Sequence, residues 1–192
     1  MRLGLADPVL DSQRIFRGVL QAMSSPGRVV TLAAAAPPLP PLDWASLAIC
    51  LALVDLETPI WLDAAGRTPE VVAYLRFHCG CRIVDGPAQA RFAVVAEAAA
   101  MPALDRFDAG SDEYPDRSAT VIVQTRTLVA GSGRRLAGPG IESQVRLEAG
   151  GLPAGFWTDL RANRERFPRG VDVLLTAGAG VAALPRTTRV EG

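Results

Sequence analysis

VDVLLTAGAGVAALP, residues 171–185, is an apolar, β-branched run interrupted by Gly178-Ala179-Gly180 and closed by Pro185. Two readings compete for it. In the first, residues 171–176 are the strand before a dinucleotide-binding turn, and Gly178-x-Gly180-x-x-Ala183 is the fingerprint. Such a turn must open a helix whose N-terminal amides receive the pyrophosphate, yet only four residues separate Gly180 from Pro185. In the second, residues 171–176 and 181–184 are two strands joined by a tight turn, where glycine accepts the backbone angles at little cost. We adopt the hairpin.

Outward from this hairpin, helical and extended patterns alternate. Residues 11–24 place Ile15, Val19 and Ala22, with Phe16, Leu20 and Met23, at helical spacing behind a cap at Asp11 or Ser12; Pro26-Gly27 stops the helix. Residues 28–32 read as a strand. Residues 33–42, AAAAPPLPPL, read as an extended connection, because proline lacks the donor for a helix. Asp43 caps a buried helix running to Val54, residues 59–63 form a short strand, and Thr68-Pro69 opens a helix through His78 that Gly80 closes. Strands follow at 82–84, 92–96 and 120–124, with a loop-rich stretch holding one helical turn between 97 and 115. Residues 126–140 predict a hairpin turning at Gly131-Ser132-Gly133, and Pro153 begins a helix ending near Arg166. The sum is an α/β fold: one domain over residues 1–192, with a mixed β-sheet and helices on both faces in three layers.

Composition removes several function classes. Apolar residues are 49% of the 192, and 20 acidic residues balance 20 basic ones, so no basic footprint for nucleic acid is present. All 20 basic residues are arginine. A chain without lysine has no Schiff base for pyridoxal phosphate and no Walker A lysine for a nucleotide. The longest apolar run, residues 44–54, is too short to cross a bilayer, and the N-terminal residues lack a signal peptide's apolar core; with three cysteines, Cys50, Cys79 and Cys81, the expectation is a cytoplasmic protein.

The candidate functional groups are few. His78 is the only histidine, the residue type used most often as an acid and base near neutrality. His78-Cys79-Gly80-Cys81 gathers three soft ligands but finds no convincing fourth, so no metal site is assigned. Arg76 and His78, two apart on a helix, point to opposite sides, which weakens a simple dyad. Asp55 and Glu57 lie between a helix and a strand. Asp172, Arg186 and Thr187 sit near strand ends, where arginine either grips an anionic ligand bidentately or pairs with Glu57, Glu113 or Asp172 to fix the fold or an interface.

Six segments in order, FRGVLQAMSSPG (16–27), DLETPIWL (55–62), LRFH (75–78), GPGI (138–141), FPRGVDVLLT (167–176) and PRTTRVE (185–191), resemble the PhnH family of carbon-phosphorus lyase subunits along almost the whole chain. The resemblance implies a fold like a reduced pyridoxal phosphate dependent transferase without the cofactor, and a homodimer that joins PhnG-, PhnI- and PhnJ-type subunits. It also implies a complex that uses ATP and a phosphonate, displacing adenine to form a ribose 1-phosphonate 5-triphosphate. On that footing Arg17, Glu57, Arg76, Asp172, Arg186 and Thr187 are expected at a substrate pocket or subunit interface, and His78 is the catalytic candidate. Two other readings stay open: a self-sufficient transferase or lyase using His78 as acid and base, and a purely structural scaffold.

Overall fold

The computed structural model describes residues 4–33 and 39–191. Its first helix, α1 (Pro8–Ser24), starts earlier than the pattern suggested. Asp7, not Asp11 or Ser12, is the cap: its carboxylate accepts the N–H groups of Val9 (3.1 Å) and Leu10 (3.0 Å), and Asp11 Oδ2 accepts the Asp7 N–H in return at 2.9 Å. Two acids thus satisfy the donors of the first turn, and Pro8 supplies none to be satisfied. The remaining helices are α2 (Trp44–Leu53), capped by Asp43; α3 (Pro69–Cys79), capped by Thr68; and α4 (Phe156–Glu165), which starts three residues after Pro153.

Seven strands make the main sheet: β1 (Val30–Thr31), β2 (Ile60–Leu62), β3 (Ile83–Val84), β4 (Phe92–Val95), β5 (Thr120–Gln124), β8 (Asp172–Ala177) and β9 (Gly180–Leu184). They lie in the order β1-β9-β8-β5-β4-β2-β3. The five from β3 to β8 are parallel, β9 runs antiparallel beside β8, and β1 pairs antiparallel with β9, so the sheet is mixed. Residues 171–184 form the hairpin, with Gly178 at φ +59° in its turn. The Gly178 carbonyl accepts the N–H of Ala45 at 2.9 Å, so the loop that mimics a dinucleotide motif spends its polar contact on the start of α2. Three 3₁₀ turns, at Ala98–Ala100, Leu104–Arg106 and Pro115–Arg117, occupy the stretch where one helical turn was expected.

Alternation along the central strands divides the apolar side chains between two cores. Ile122 and Leu174 point to one face, where α1, α2 and α3 cover them with Ile15, Val19, Leu47, Ile49, Val71 and Leu75. Val121, Val123, Val173 and Leu175 point to the other. Because both faces are covered, the central strands read as continuous apolar runs. The second face also carries a helix, α4, so helices lie on both faces as expected, but it holds more than a helix. Alongside α4 it carries a three-stranded antiparallel sheet made of β6 (Thr127–Ala137), β7 (Val145–Gly150) and β10 (Arg189–Glu191), which contributes Leu136, Leu147 and Val190 to the core.

That small sheet also corrects the reading of residues 126–140 as a hairpin. Thr127–Ala137 form one continuous strand, and Gly131-Ser132-Gly133 is a bulge in it, since Ala130 and Arg134 both register with Leu147. The positive φ that glycine permits serves a bulge as well as a turn. At Gly133 a Cβ would lie 2.5 Å from the Leu147 carbonyl oxygen and 2.7 Å from Glu148 Cα, so the partner strand approaches closer than any side chain allows. The chain reverses later, between β6 and β7, and the Pro-rich segment 33–42 falls partly outside the described residues.

Candidate functional site

Asp172 begins β8 and Arg186 follows the end of β9, which puts both on the amino edge of the parallel strands. Arg186 grips Asp172 through Nε (3.2 Å to Oδ1) and Nη2 (2.6 Å to Oδ2). Its Nη1 donates to the carbonyls of Pro115 (2.6 Å) and Pro168 (3.3 Å), and Nη2 donates again to Ser118 Oγ at 2.5 Å. A guanidinium has five N–H donors, and these five contacts account for them. With side chains only 14% and 18% exposed, the pair fastens two loops to the sheet and leaves no donor for an anion. Thr187 lies half-buried in the turn behind it.

The other sequence candidates do not converge. Arg17 is exposed on α1, and Glu57 is exposed in a turn that the Asp55 carboxylate organises by accepting the N–H groups of Glu57 (3.0 Å) and Thr58 (3.1 Å). Arg76 lines an open apolar groove of about 720 Å³ with Leu39, Pro40, Tyr74 and Phe77. His78 faces a separate cavity of about 500 Å³ with Ser12, Leu51 and Asp55, and its ring rests 4.3 Å from that of Tyr74. The helix places Arg76 and His78 in different cavities, so no dyad forms between them. Cys79 Sγ donates to the Cys50 carbonyl at 3.6 Å and Cys81 Sγ to the Leu75 carbonyl at 3.7 Å; the interaction of the two thiols with each other raises the pKa of Cys79 and lowers that of Cys81, and burial raises Cys50. Among the described residues, no group of three or more His, Cys, Asp or Glu side chains is arranged to hold a metal ion.

A different set gathers at the carboxyl edge of the sheet. From β2 the chain crosses through α3 to β3 on one side, whereas β4, β5 and β8 are added in turn on the other, so the connections diverge between β2 and β4. Open α/β sheets hold ligands in the crevice outside such strand ends. Asp63, buried directly after β2, spans the divergence: Oδ1 accepts the Gly66 N–H at 2.7 Å and Oδ2 accepts the Glu97 N–H at 3.0 Å. Beside it, over the ends of β4 and β5, is a cleft of about 420 Å³ lined by residues 96–99, Gln124, Thr125, Arg126 and Gly151.

The floor of this cleft is tied down. Gln124 Oε1 accepts the Asp43 N–H at 2.7 Å and its Nε2 donates to the Pro41 carbonyl at 2.9 Å. Behind Gln124, Asp43 caps α2 through Ser46, while its other oxygen, Oδ2, is buried with no hydrogen-bond partner among the described residues; burial raises its pKa. Thr125 Oγ1 donates to the Thr176 carbonyl at 2.8 Å. Glu97 and Arg126 are exposed, and neither side chain has a charged partner among the described residues. The arrangement offers a preset place to bind, with one free anion and one free cation, but no nucleophile and base in mutual reach. None of these residues was singled out from sequence, although 63, 97 and 124–126 all sit at or just beyond the ends of segments read as strands.

A family model described as bacterial phosphonate metabolism protein (PhnH) matches residues 3–191. The chain belongs to the PhnH family. Within that family it is similar to the alpha-D-ribose 1-methylphosphonate 5-triphosphate synthase subunit PhnH of Rhizobium meliloti (strain 1021), at 40% identity over 186 residues, 97% of this chain and 93% of that protein. It is also similar to HtxG of Stutzerimonas stutzeri, provisionally named a C-P lyase subunit, at 33% identity over 183 residues, 93% of this chain and 85% of that one. The family resemblance carried by the six ordered segments is therefore shown.

Proposed function

We propose that this chain is a subunit of the carbon-phosphorus lyase core assembly and works in forming ribose 1-phosphonate 5-triphosphate from a nucleoside triphosphate and an alkylphosphonate. One observation carries the reading: 40% identity along 97% of the chain to a protein named as a subunit of that synthase. The subunit is noncatalytic or co-catalytic by itself. In support, Arg186 has no donor to offer, and Arg76 and His78 open into different cavities.

Residues 1–192 act in this proposal as one PhnH-like unit in the cytoplasm, paired as a homodimer and joined to PhnG-, PhnI- and PhnJ-type subunits. The surface supports association. Val9, Phe16 and Leu20, spaced by seven and four residues, share a face of α1 and are 76%, 50% and 54% exposed, and Phe77 on α3 is 64% exposed. Pyridoxal phosphate has no role here, since no lysine can carry it, and the likeness to a transferase fold is one of architecture alone. ATP enters as the assembly's substrate.

The test is turnover of ATP with methylphosphonate. The purified chain alone is expected to be inactive and the activity to appear on adding its partner subunits. Turnover by the isolated chain at an ordinary enzymatic rate overturns the subunit reading in favour of a self-sufficient enzyme acting through His78. In the reconstituted assembly, His78→Asn is expected to leave turnover within about threefold of the parent, well short of the loss that follows removal of a general acid or base.

A further inference from the structure

We propose that the cleft at the carboxyl ends of β4 and β5 binds a small sugar phosphate, its phosphoryl oxygens on Arg126 and its hydroxyls on Glu97. This goes beyond the assembly role proposed above, which does not say that this subunit holds any small molecule itself.

The position comes first. The cleft adjoins the point where the strand connections diverge, and Asp63 links the loops that follow β2 and β4 with bonds of 2.7 and 3.0 Å. Its walls therefore exist before any ligand arrives, which spares the cost of ordering them. Its volume, about 420 Å³, is in the range of small-molecule sites and suits a phosphorylated pentose better than a full nucleoside triphosphate.

The charges come second. Arg126 stands where the main sheet passes into β6, its N–H fixed to the Gly150 carbonyl at 2.8 Å. Its side chain lies across Gly151, where a Cβ would come within 3.0 Å of Nε, so any larger residue there would push the guanidinium away. A guanidinium with no acid beside it among the described residues, held at the mouth of a preset cleft, matches the paired oxygens of a phosphoryl group. Glu97, whose N–H is occupied by Asp63 while its carboxylate is not, supplies an acceptor for hydroxyls. The two side chains do not pair with each other, so each is available to a ligand that carries both an anion and hydroxyl donors.

Isothermal titration of the full chain with ribose 5-phosphate, inorganic phosphate and ribose separates the contributions. Saturable binding of ribose 5-phosphate is expected at millimolar concentration or below. Arg126→Gln should weaken both ribose 5-phosphate and inorganic phosphate by about tenfold or more, as loss of a charge-assisted pair does. Glu97→Gln should weaken ribose 5-phosphate several-fold and leave inorganic phosphate unchanged. Arg76→Gln, in the apolar groove, should change neither. The proposal is overturned if ribose 5-phosphate does not bind, if Arg126→Gln binds it as the parent does, or if Arg76→Gln weakens it equally. Circular dichroism of each variant confirms the fold, and Arg126→Lys, which keeps the charge but not the fork, should restore part of the phosphate affinity. The outcome is independent of the assembly test, since a noncatalytic subunit can bind or fail to bind.

Discussion

Replacing Arg186 by alanine tests whether the amino-edge pair is a structural fastening or a ligand site. The substitution removes five hydrogen bonds at once and leaves the Asp172 carboxylate, 18% exposed, without its cation. Breaking a buried pair on one side costs about 3–5 kcal/mol. The Pro115 and Pro168 carbonyls and part of Asp172 can recover water, so we take the lower end, about 3 kcal/mol. For a chain of this length that lowers Tm by roughly 6–12 °C. Asp172→Ala should cost somewhat less, because Arg186 keeps Ser118 and both carbonyls. The double variant should fall short of the sum of the two by about 2 kcal/mol, the signature of a direct contact. Urea or thermal unfolding of the four proteins closes the cycle. The reasoning is refuted if Arg186→Ala unfolds within about 1 kcal/mol of the parent, and still more plainly if it loses phosphonate turnover in the assembly at unchanged stability.

Three further outcomes follow from particular contacts. Asp43 has its pKa raised by burial, so its protonated form favours the folded state; that contribution is full below 3.8 and is lost as pH rises through the native value. Asp43→Asn, which keeps the helix cap, should flatten stability across that acid window and equal or exceed the parent at neutral pH, whereas Asp43→Ala should lose about 1 kcal/mol; equal losses for both would refute this. Gly133→Ala should destabilise more than Gly131→Ala, because only at Gly133 does a Cβ strike the neighbouring strand, and equal unfolding midpoints would contradict the bulge. Native Cys50, fully enclosed and with its thiol pushed up, should resist iodoacetamide until the protein is unfolded, as peptide mass spectrometry would show; alkylation at the rate of a free thiol would exclude that burial.

What the sequence disclosed was mainly local. The caps at Asp43 and Thr68, the strands at 120–124 and 171–176 and the terminal hairpin rest on residues whose propensities agree with their surroundings, so they could be read without the fold. Gly131-Ser132-Gly133 misled because a glycine's permissive angles are the same in a turn and in a bulge, and only the pairing with Leu147 separates the two. β10 escaped notice since three residues, Arg189–Glu191, form a strand only by docking on β6. The cleft was hidden for a related reason. Asp63, Glu97 and Arg126 are ordinary loop residues in the linear chain, and strand order alone brings them to one edge. His78 and Arg186 drew attention by rarity and by motif, yet neither rarity nor motif reports where a side chain's donors go.

The pairing of β1 with β9 also governs when the molecule can be finished. Val30 meets Val181, a partner synthesised about 150 residues later, and α1 rests against that same strand. During translation the first helix therefore meets α2 early but waits for the strand that completes its seat, and the part of its apolar face meant for β9 stays open to other nascent chains until then. Contacts of such sequence separation form slowly because a long loop must close first. A chain ended anywhere before residue 171 would lack β8 and β9 and leave α1 without the strand it lies on, a natural target for chaperones or proteases.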